Sequence, residues 1–304
     1  MDQPLYPIHP SQEDRLNTQY KDFYNKNLIS KPKVHTIAIG DIRAAPSGQL
    51  PGSGLPATVG KTENLYVTPD SGPASGVKIP LRCFTPPGNT PQGGWPVLVF
   101  YHGGGWTLGD ETAEIDLVTN MCARAKCVVI TPSGGSSAGG NLAAVVVQRS
   151  VARGGPSVKT LLLNIPALDN TRTVETSHCW EDLQHSPALP VEMMMWFRHN
   201  YLPDQADWSN PEASPLLWNG DWSKMPPTVL NLGGMDILLD EAREFGEKLS
   251  QAGVHAQVNT FEGQPHIFHA MTGVLDDAQR ALSISCDSLY DSFYEPRSVF
   301  RAAK

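Results

Sequence analysis

Hydrophobic positions follow two different periods along this chain, and the period changes near residue 97. Before that point, Lys61–Val67 and Val77–Phe84 alternate apolar and polar residues on either side of Pro69–Pro73. This arrangement predicts a β-hairpin. From Val97 onward, short apolar runs alternate with helical patterns, as a mostly parallel sheet with flanking helices requires. The pattern therefore predicts an α/β fold.

The second part of the chain is predicted to contain strands and helices in alternation. The strands are Val97–Tyr101, Cys127–Ile130, Leu161–Ile165, Val229–Leu232 and Ala256–Phe261. The helices are residues 113–125, 138–152, 240–252 and 275–294. Segment 169–226 interrupts this alternation and is rich in tryptophan, methionine and proline, so we predict an inserted helical lid. Its Met and Trp side chains either line an apolar substrate pocket or form the lid's own core.

The amino-terminal region is predicted to be helical. Apolar and aromatic residues recur at helical spacing over residues 11–30, and Ser11 stands where an N-cap is expected. Such a helix either covers a pocket or presents an ordinary packing face. Residues 40–60 are rich in Gly, Pro and Ser and are predicted to form a connecting loop.

Composition narrows the range of functions. A chain of 304 residues with 40% hydrophobic content can bury a large core, and its net charge of -8, without a Lys/Arg cluster, disfavours nucleic acid as a partner. The first residues do not resemble a secretory signal, and no apolar run is long enough to span a membrane. We therefore expect a cytoplasmic protein. The five cysteines lack C-x-x-C spacing and are expected to be thiols rather than disulfide or zinc ligands.

Candidate chemistry centres on Gly135–Gly139, which reads G-x-S-x-G. This is the pattern of a nucleophile elbow, where a sharp strand-to-helix turn presents a serine hydroxyl and needs small residues on both sides. The pattern is weak alone. Upstream, however, His102–Trp106 places three glycines directly after an apolar strand, and their N–H groups are suited to hold an oxyanion.

A nucleophilic serine needs a histidine to take its proton and an acid to orient that histidine. In this architecture both come from loops after later strands, in the order Ser, Asp, His. Asp236 and His266 occupy such positions. The alternatives are that Asp236 only caps a helix and His266 is an ordinary loop residue, with Asp240 and His269 as competing candidates.

Four segments together resemble the hormone-sensitive-lipase-like branch of the α/β-hydrolases. They are His102–Trp106, Ser137–Asn141, Gly234–Asp240 and Pro265–Phe268. The resemblance runs from about Val77 to the end of the sequence. It implies an α/β-hydrolase three-layer sandwich with a mostly parallel sheet. Residues 1–45 would be amino-terminal cap helices, and residues 46–304 would be the hydrolase domain, with a cap insertion at about 169–226.

The resemblance also implies roles for individual residues. Ser137 would be the nucleophile, His266 the general base and then acid, and Asp236 the residue that orients His266. The implied oxyanion-hole donors are the backbone N–H groups of Gly103, Gly104 and Ala138. The expected activity is hydrolysis of a small or medium apolar carboxylic ester through an acyl-serine intermediate, without cofactor or metal. The oligomeric state is left open, a homodimer included.

The chain departs from this family in two places. Ser136 stands where an acidic residue usually precedes the nucleophile. More importantly, only Thr131 to Ser136 separate the strand Cys127–Ile130 from Ser137. A parallel crossover needs a dozen or more residues, so one strand–helix unit is predicted to be missing.

Two arrangements could follow from the missing unit. The strand Cys127–Ile130 could take the elbow strand's place, which would drive the helix at 113–125 onto the other face of the sheet. Otherwise a gap would remain in the sheet. Both arrangements favour reduced stability, and they leave two alternatives to an active esterase: a small-molecule binder without catalysis, and an inactive shortened variant.

Overall fold

The strands of this protein lie close to the predicted apolar runs. The computed structural model describes residues 6–44, 49–132 and 137–294. Within them the strands are Lys61–Val67 (β1), Ile79–Thr85 (β2), Val97–Val99 (β3), Val128–Pro132 (β4), Leu161–Asn164 (β5), Thr228–Met235 (β6) and Ala256–Pro265 (β7). The predicted hairpin and later strands are therefore confirmed, with ends shifted by a few residues.

Helices connect and cover these strands. The α-helices are Pro10–Glu13 (α1), Thr18–Asn27 (α2), Ile39–Ala44 (α3), Ile115–Arg124 (α4), Ala138–Arg153 (α5), His178–Asp182 (α6), Val191–Tyr201 (α7), Leu239–Gln251 (α8) and Asp276–Tyr294 (α9). Short 3₁₀ turns occur at Val34–Thr36, Gln205–Asp207, Pro215–Leu217, Trp222–Lys224 and Phe268–Ala270. The segment between β5 and β6 that contains α6 and α7 is called the cap insertion below. The division into residues 1–45 and 46–304 stays a prediction.

The single helix predicted over residues 11–30 is wrong in its continuity. The chain forms α1 and α2 with a break between them, because the Asn17 side chain accepts the N–H groups of Gln19 and Tyr20 and starts a new helix. His9, rather than Ser11, caps α1. The Asn17 N–H also donates to the carbonyl of Gly263 in β7, so the amino-terminal helices are fastened beside a loop that carries a candidate site residue.

The strands form two sheets. The first has the order β1-β2-β4-β3, and the second has the order β5-β6-β7. β2 pairs antiparallel with β1 and β4, whereas β3 and β4 are parallel. All pairs in the second sheet are parallel. The sheets are therefore mostly parallel from β3 onward, as predicted.

A gap separates β3 from β5, and this is the second of the two predicted arrangements. β4 lies between β2 and β3, so it has not moved to the side of β3 that faces β5. β3 and β5 are the end strands of their sheets, and both line one cavity. The physical reason is chain length, since the residues between β4 and α5 are too few for a crossover.

The buried core divides in the same way as the sheets. The larger apolar cluster surrounds the second sheet and includes residues of α2, α8 and the cap insertion. The smaller cluster lies between β2, β4, α4 and α9. The candidate functional residues are carried by elements on both sides of this division.

Candidate active site

A buried aspartate–histidine pair lies at the ends of two neighbouring strands. Asp236 directly follows β6, and His266 directly follows β7. Because β6 and β7 are parallel partners, their carboxyl ends meet at the same edge of the sheet. Nδ1 of His266 lies 2.7 Å from Oδ2 of Asp236, and the two side chains are 5% and 2% exposed. The pair is thus shielded from water, which strengthens its hydrogen bond.

The competing residues are engaged elsewhere. Asp240 accepts hydrogen bonds from the Ser177 hydroxyl and from the Cys179 N–H and thiol at the start of α6. Burial would raise the pKa of Asp240, but the hydrogen bonds from Cys179 and Ser177 outweigh it and hold that pKa below its usual value. Asp240 therefore fastens the cap insertion. His269 is buried, with Nε2 3.4 Å from Oε1 of Glu114.

Ser137 stands at the N-cap of α5 in a strained conformation. Its φ of 55° and ψ of -64° lie outside the regions that non-glycine residues usually adopt. The Ser137 carbonyl accepts from the Asn141 N–H at 3.2 Å and from the Ala167 N–H at 3.0 Å, which ties the turn to the loop after β5. Gly135 and Ser136, the residues before it in the motif, lie outside the described residues.

The acid and the histidine are hydrogen-bonded to each other, but among the described residues the histidine is not hydrogen-bonded to the serine. Ser137 is half-buried, and no hydrogen bond between its hydroxyl and His266 occurs among the described residues. Hydrogen bonds of this kind are often long before substrate binds, so their absence does not remove a residue from candidacy. In this structure, Asp236 and His266 of the predicted triad are in contact, and Ser137 is held by other contacts.

The residues after Ser137 pack too closely for larger side chains. A Cβ at Gly139 would lie 2.5 Å from the carbonyl oxygen of Tyr101, next to the end of β3. The Asn141 side chain is fully buried and donates to the carbonyls of Ala167 and Ala213. Asn141 therefore joins α5 to the loop after β5 and to the cap insertion, which accounts for the Gly and Asn positions of the motif.

The predicted oxyanion loop has a different set of available donors from the one expected. The Gly103 N–H donates to Oε2 of Glu114 at 3.1 Å, so this donor is already occupied. Gly104 has a φ of 134°, and a Cβ there would lie 2.1 Å from the Leu108 carbonyl oxygen. Within the described parts of the chain, the N–H groups of Gly104 and Gly105 have no acceptor.

Ala138 contributes a donor from another element. It is the first residue of α5, where backbone N–H groups have no partner inside the helix and the helix dipole favours negative charge. The available donors are therefore those of Gly104 and Ala138, with Gly105 as a residue that the sequence interpretation left out. Nothing in the sequence near Gly103 shows that a glutamate eleven positions later would occupy its N–H.

Aromatic side chains of the cap insertion cover the glycine loop. The Trp106 ring stacks on Tyr201 of α7 with 4.6 Å between centroids. Its indole Nε1 lies 3.4 Å from Oδ1 of Asn141. The Phe197 ring lies against Gly105, so near that a Cβ there would come within 2.2 Å of it. Met193, Met194 and Trp180 are buried in the larger core cluster, which the cap insertion shares with the second sheet, so the core they join is not the lid's own.

A buried glutamate fastens the cap insertion to α8 through backbone hydrogen bonds. Glu241 in α8 accepts the N–H groups of Leu168 and Asp169 through Oε1 at 2.6 Å and 3.2 Å. Burial raises the pKa of Glu241 to about 8. Arg198 of α7 lies between the rings of Trp180 and Trp208, at 4.7 Å and 4.8 Å from their centroids. Burial lowers the pKa of Arg198 to about 10.

Two other kinds of site are absent from the part of the chain that the structure describes. No group of three or more His, Cys, Asp or Glu side chains there is arranged to hold a metal ion. None of its helices combines the length and the apolar character needed to cross a membrane. All five cysteines are buried free thiols.

Comparison with known proteins gives a consistent set of similarities. A family model for the alpha/beta hydrolase fold matches residues 134–270. The chain is 34% identical to AB hydrolase superfamily protein C1039.03 of Schizosaccharomyces pombe, over 90% of this chain and 92% of that protein. It is 30% identical to carboxylic ester hydrolase LipN of Mycobacterium tuberculosis, over 70% of this chain and 66% of that protein.

A solved structure resembles the fold over almost its whole length. It is the ester hydrolase Eh1AB1 from the metagenome of Lake Arreo, solved with a derivative of bipyridine phosphonate. The TM-score is 0.77 at 24% sequence identity, covering 94% of this chain and 99% of that one. This likeness concerns the fold.

Proposed function

Because the chain belongs to the α/β-hydrolase fold family, in its hormone-sensitive-lipase-like branch, we propose that it is a carboxylic ester hydrolase that uses an acyl-serine intermediate. The observation that carries the proposal is the buried contact between His266 and Asp236 at the ends of β6 and β7. Proteins named as esterases and carboxylic ester hydrolases among its relatives point to the same reaction.

The proposed first step uses His266 as a base. With a proton on Nδ1 shared with Asp236, the lone pair of His266 lies on Nε2. Nε2 takes the proton of the Ser137 hydroxyl while Oγ attacks the ester carbonyl carbon. The resulting oxyanion would be held by the N–H groups of Gly104 and Ala138, and His266 then gives its proton to the departing alcohol.

The second step returns the enzyme to its starting state. A water molecule gives a proton to His266 and attacks the acyl carbon, which releases a carboxylic acid and restores the Ser137 hydroxyl. We propose a small or medium apolar acyl group, because the rings of Trp106, Tyr201 and Phe197 stand over the glycine loop. The cytoplasmic location expected from the sequence also stays a proposal, and the free thiols fit a reducing compartment.

A second candidate function is non-catalytic binding of a small apolar molecule in the same place. The observations that favour it are the absence of a Ser137–His266 hydrogen bond among the described residues and the use of the Gly103 N–H by Glu114. A displacement of the nucleophile by about 1 Å can reduce the reaction rate about 100-fold, whereas it affects ligand binding less. Retention of both His266 and Asp236 favours catalysis.

The test is covalent labelling by a fluorophosphonate, followed by intact-mass measurement. We expect one adduct on the parent protein and none on Ser137→Ala. Ser136→Ala is the matched control, since it removes the adjacent hydroxyl, and it should be labelled like the parent. Folded protein that takes no label, or label that survives in Ser137→Ala, would contradict the proposal. Saturable ligand binding without labelling would favour the second candidate.

A further inference from the structure

The gap between β3 and β5 forms a slot inside the sheet. Its volume is about 700 Å³, within the range of sites that bind ligands. The slot is lined by Gly93–Tyr101 on one side and by residues from Pro156 to Asn164 on the other. Solvent reaches it, because Val97 and Val99 of β3 are 53% and 48% exposed. Val residues in a central parallel strand are normally covered on both faces.

Both borders of the slot are unpaired strand edges. The Phe100 N–H and the Pro96 carbonyl bond to β4, and the bonds of a strand alternate between its two sides. The backbone groups of Val97, Val99 and Tyr101 therefore point into the slot. On the opposite border, Leu161 and Ile165 donate to the chain leading into and along β6. Leu162 and Asn164 therefore also direct their backbone groups into the slot.

The two borders run in the same direction. The end of β3 meets the start of α5 where Gly139 approaches the Tyr101 carbonyl. The loop after β5 meets the same turn of α5, where Gly140 approaches Pro166. Since both strands end at the first turn of α5, a segment that lay between them in the same direction would pair with both as a parallel strand.

The faces of the slot are apolar on both sides of the sheet. α5 contributes Val146, which is 46% exposed although it lies in the middle of a helix. From α9 come Leu289 and Phe293. A segment between β3 and β5 would have its side chains covered alternately by these two helices. It would therefore need apolar residues at successive positions, as in a buried parallel strand.

We propose that this slot is a binding site for one extended peptide segment, apolar on both faces, which pairs in parallel with β3 and β5 and completes the sheet. Four or five residues match the bordering strands. A hydrocarbon ligand would fill the volume but leave the two rows of backbone N–H and C=O groups without partners, and such groups are costly when buried. Addition of a strand to an open edge satisfies both requirements.

The proposal goes beyond ester hydrolysis and does not rest on the chemistry of Ser137. The bound segment would end below Gly139, next to the turn that begins with Ser137. Peptide binding and ester hydrolysis can therefore be measured separately. If one of the two proposals is contradicted, the other is still tested by its own experiment.

The test uses a synthetic peptide, acetyl-Lys-Lys-Val-Ile-Val-Val-Gly-amide, with a fluorophore on the first lysine. The lysines provide solubility and the remaining residues provide a strand with two apolar faces. We expect saturable binding by anisotropy. In hydrogen exchange we expect new protection at the amides that point into the slot, with no change in β7; these are Val97, Val99, Tyr101, Leu162 and Asn164. The matched control peptide is N-methylated at alternate residues, keeps the side chains and lacks the N–H donors of one edge, and should bind at least about tenfold more weakly.

Two protein variants locate the binding. Val146→Asp places a charge in the apolar slot and should weaken binding at least about tenfold. Val77→Asp is the control, since Val77 is 53% exposed and does not line the slot. If Val146→Asp fails to fold, hydrogen exchange of the parent protein with the two peptides still decides the question.

Four results would overturn the proposal. They are absence of saturable binding by folded protein, equal binding of the N-methylated peptide, protection confined to other strands, and slot amides already protected in the free protein. Equal binding of the two peptides would indicate a site for apolar molecules in general. Slot amides protected without peptide, in a protein that sediments as a dimer, would indicate that a second copy fills the slot.

Discussion

The two halves of the candidate active site, the Asp236–His266 pair and Ser137, are held in place by different structural elements. Asp236 and His266 extend from β6 and β7, which pair along most of their length and lie in the larger core cluster. Ser137 is the N-cap of α5, while the strand that precedes it in sequence, β4, lies on the other side of β3 from the slot. The acid and histidine are therefore positioned by strand register. The described contacts that hold the serine come from its helix and from the loop after β5.

This difference separates two requirements that are usually met together. The short contact between His266 and Asp236 needs only two adjacent parallel strands, and the chain has kept them. The position of Ser137 relative to His266 depends instead on the contact of its turn with the loop after β5, because β4, the strand before it in sequence, lies beyond β3. A shortened sheet can thus keep an intact acid–histidine pair and still place its nucleophile less firmly.

The largest expected effect comes from the well-supported half. Asp236→Asn should reduce kcat/KM for an ester substrate by about 10⁴-fold, because the neutral amide no longer holds His266 in the tautomer with a free Nε2. Stability should change much less than activity. Steady-state hydrolysis of a chromogenic ester, together with the rate of fluorophosphonate labelling, measures this effect.

Asp240→Asn provides the control for that substitution. Asp240 contacts Ser177 and Cys179 rather than His266, so its replacement should change activity less than about tenfold and loosen the cap insertion instead. If both variants lost activity equally, the pairing of Asp236 with His266 would have no special catalytic importance, and the proposed function would need another residue to orient His266.

The local pattern of the sequence predicted most of the strands because apolar period and turn residues depend on neighbouring positions. The gap could also be predicted, since it follows from counting residues between β4 and Ser137. The order of Ser137, Asp236 and His266 along the sequence identified them as the candidate triad. It could not show that the first of them lacks a hydrogen bond to the third among the described residues.

The contacts that sequence reasoning missed join residues distant in the chain or unremarkable in type. Glu114 resembles an ordinary acid before a helix, yet it takes the Gly103 N–H. Arg198 resembles a surface residue of an amphipathic helix, yet it is buried between two tryptophans. A charged side chain becomes buried only when several elements supply its surroundings, and no local period records that arrangement.

The next largest effect is a dependence of stability on pH, which arises from Glu241 where the cap insertion is attached to α8. The pKa of Glu241 is about 8 in the folded protein, so between about pH 4.5 and pH 8 the folded state holds a proton that the unfolded chain has released. The stability contributed by this group is therefore complete below the unfolded value and declines as pH rises through that window, by at most about 1.4 kcal/mol per pH unit.

Glu241→Gln should remove this decline, because an amide keeps an acceptor oxygen for the N–H groups of Leu168 and Asp169 without titrating. Urea unfolding at pH 5.5 and pH 8 measures the difference. We expect the free energy of unfolding of the variant to rise relative to that of the parent protein as pH increases. Parallel pH profiles for the two proteins would mean that Glu241 does not titrate in this range.

The smallest expected effect compares the two sheets directly through one substitution in each. Val229 of β6 is 1% exposed and Val99 of β3 is 48% exposed. Val229→Ala should lower the free energy of unfolding by about 2 kcal/mol, because it removes buried methyl groups from a packed core. Val99→Ala should lower it by less than about 0.5 kcal/mol, as at other exposed positions. Urea midpoints with equal slopes provide both values.

The same pair of variants also tests whether the slot is filled. Equal losses for the two substitutions would mean that Val99 is covered in solution, and the contrast between the sheets would then be wrong. If the slot is open and accepts a strand, addition of the Lys-Lys-Val-Ile-Val-Val-Gly peptide should stabilise the parent protein by mass action and should stabilise Val99→Ala less, while Val229→Ala gains as much as the parent. Binding would then increase the cost of Val99→Ala, because the peptide buries the methyl groups that the substitution removes.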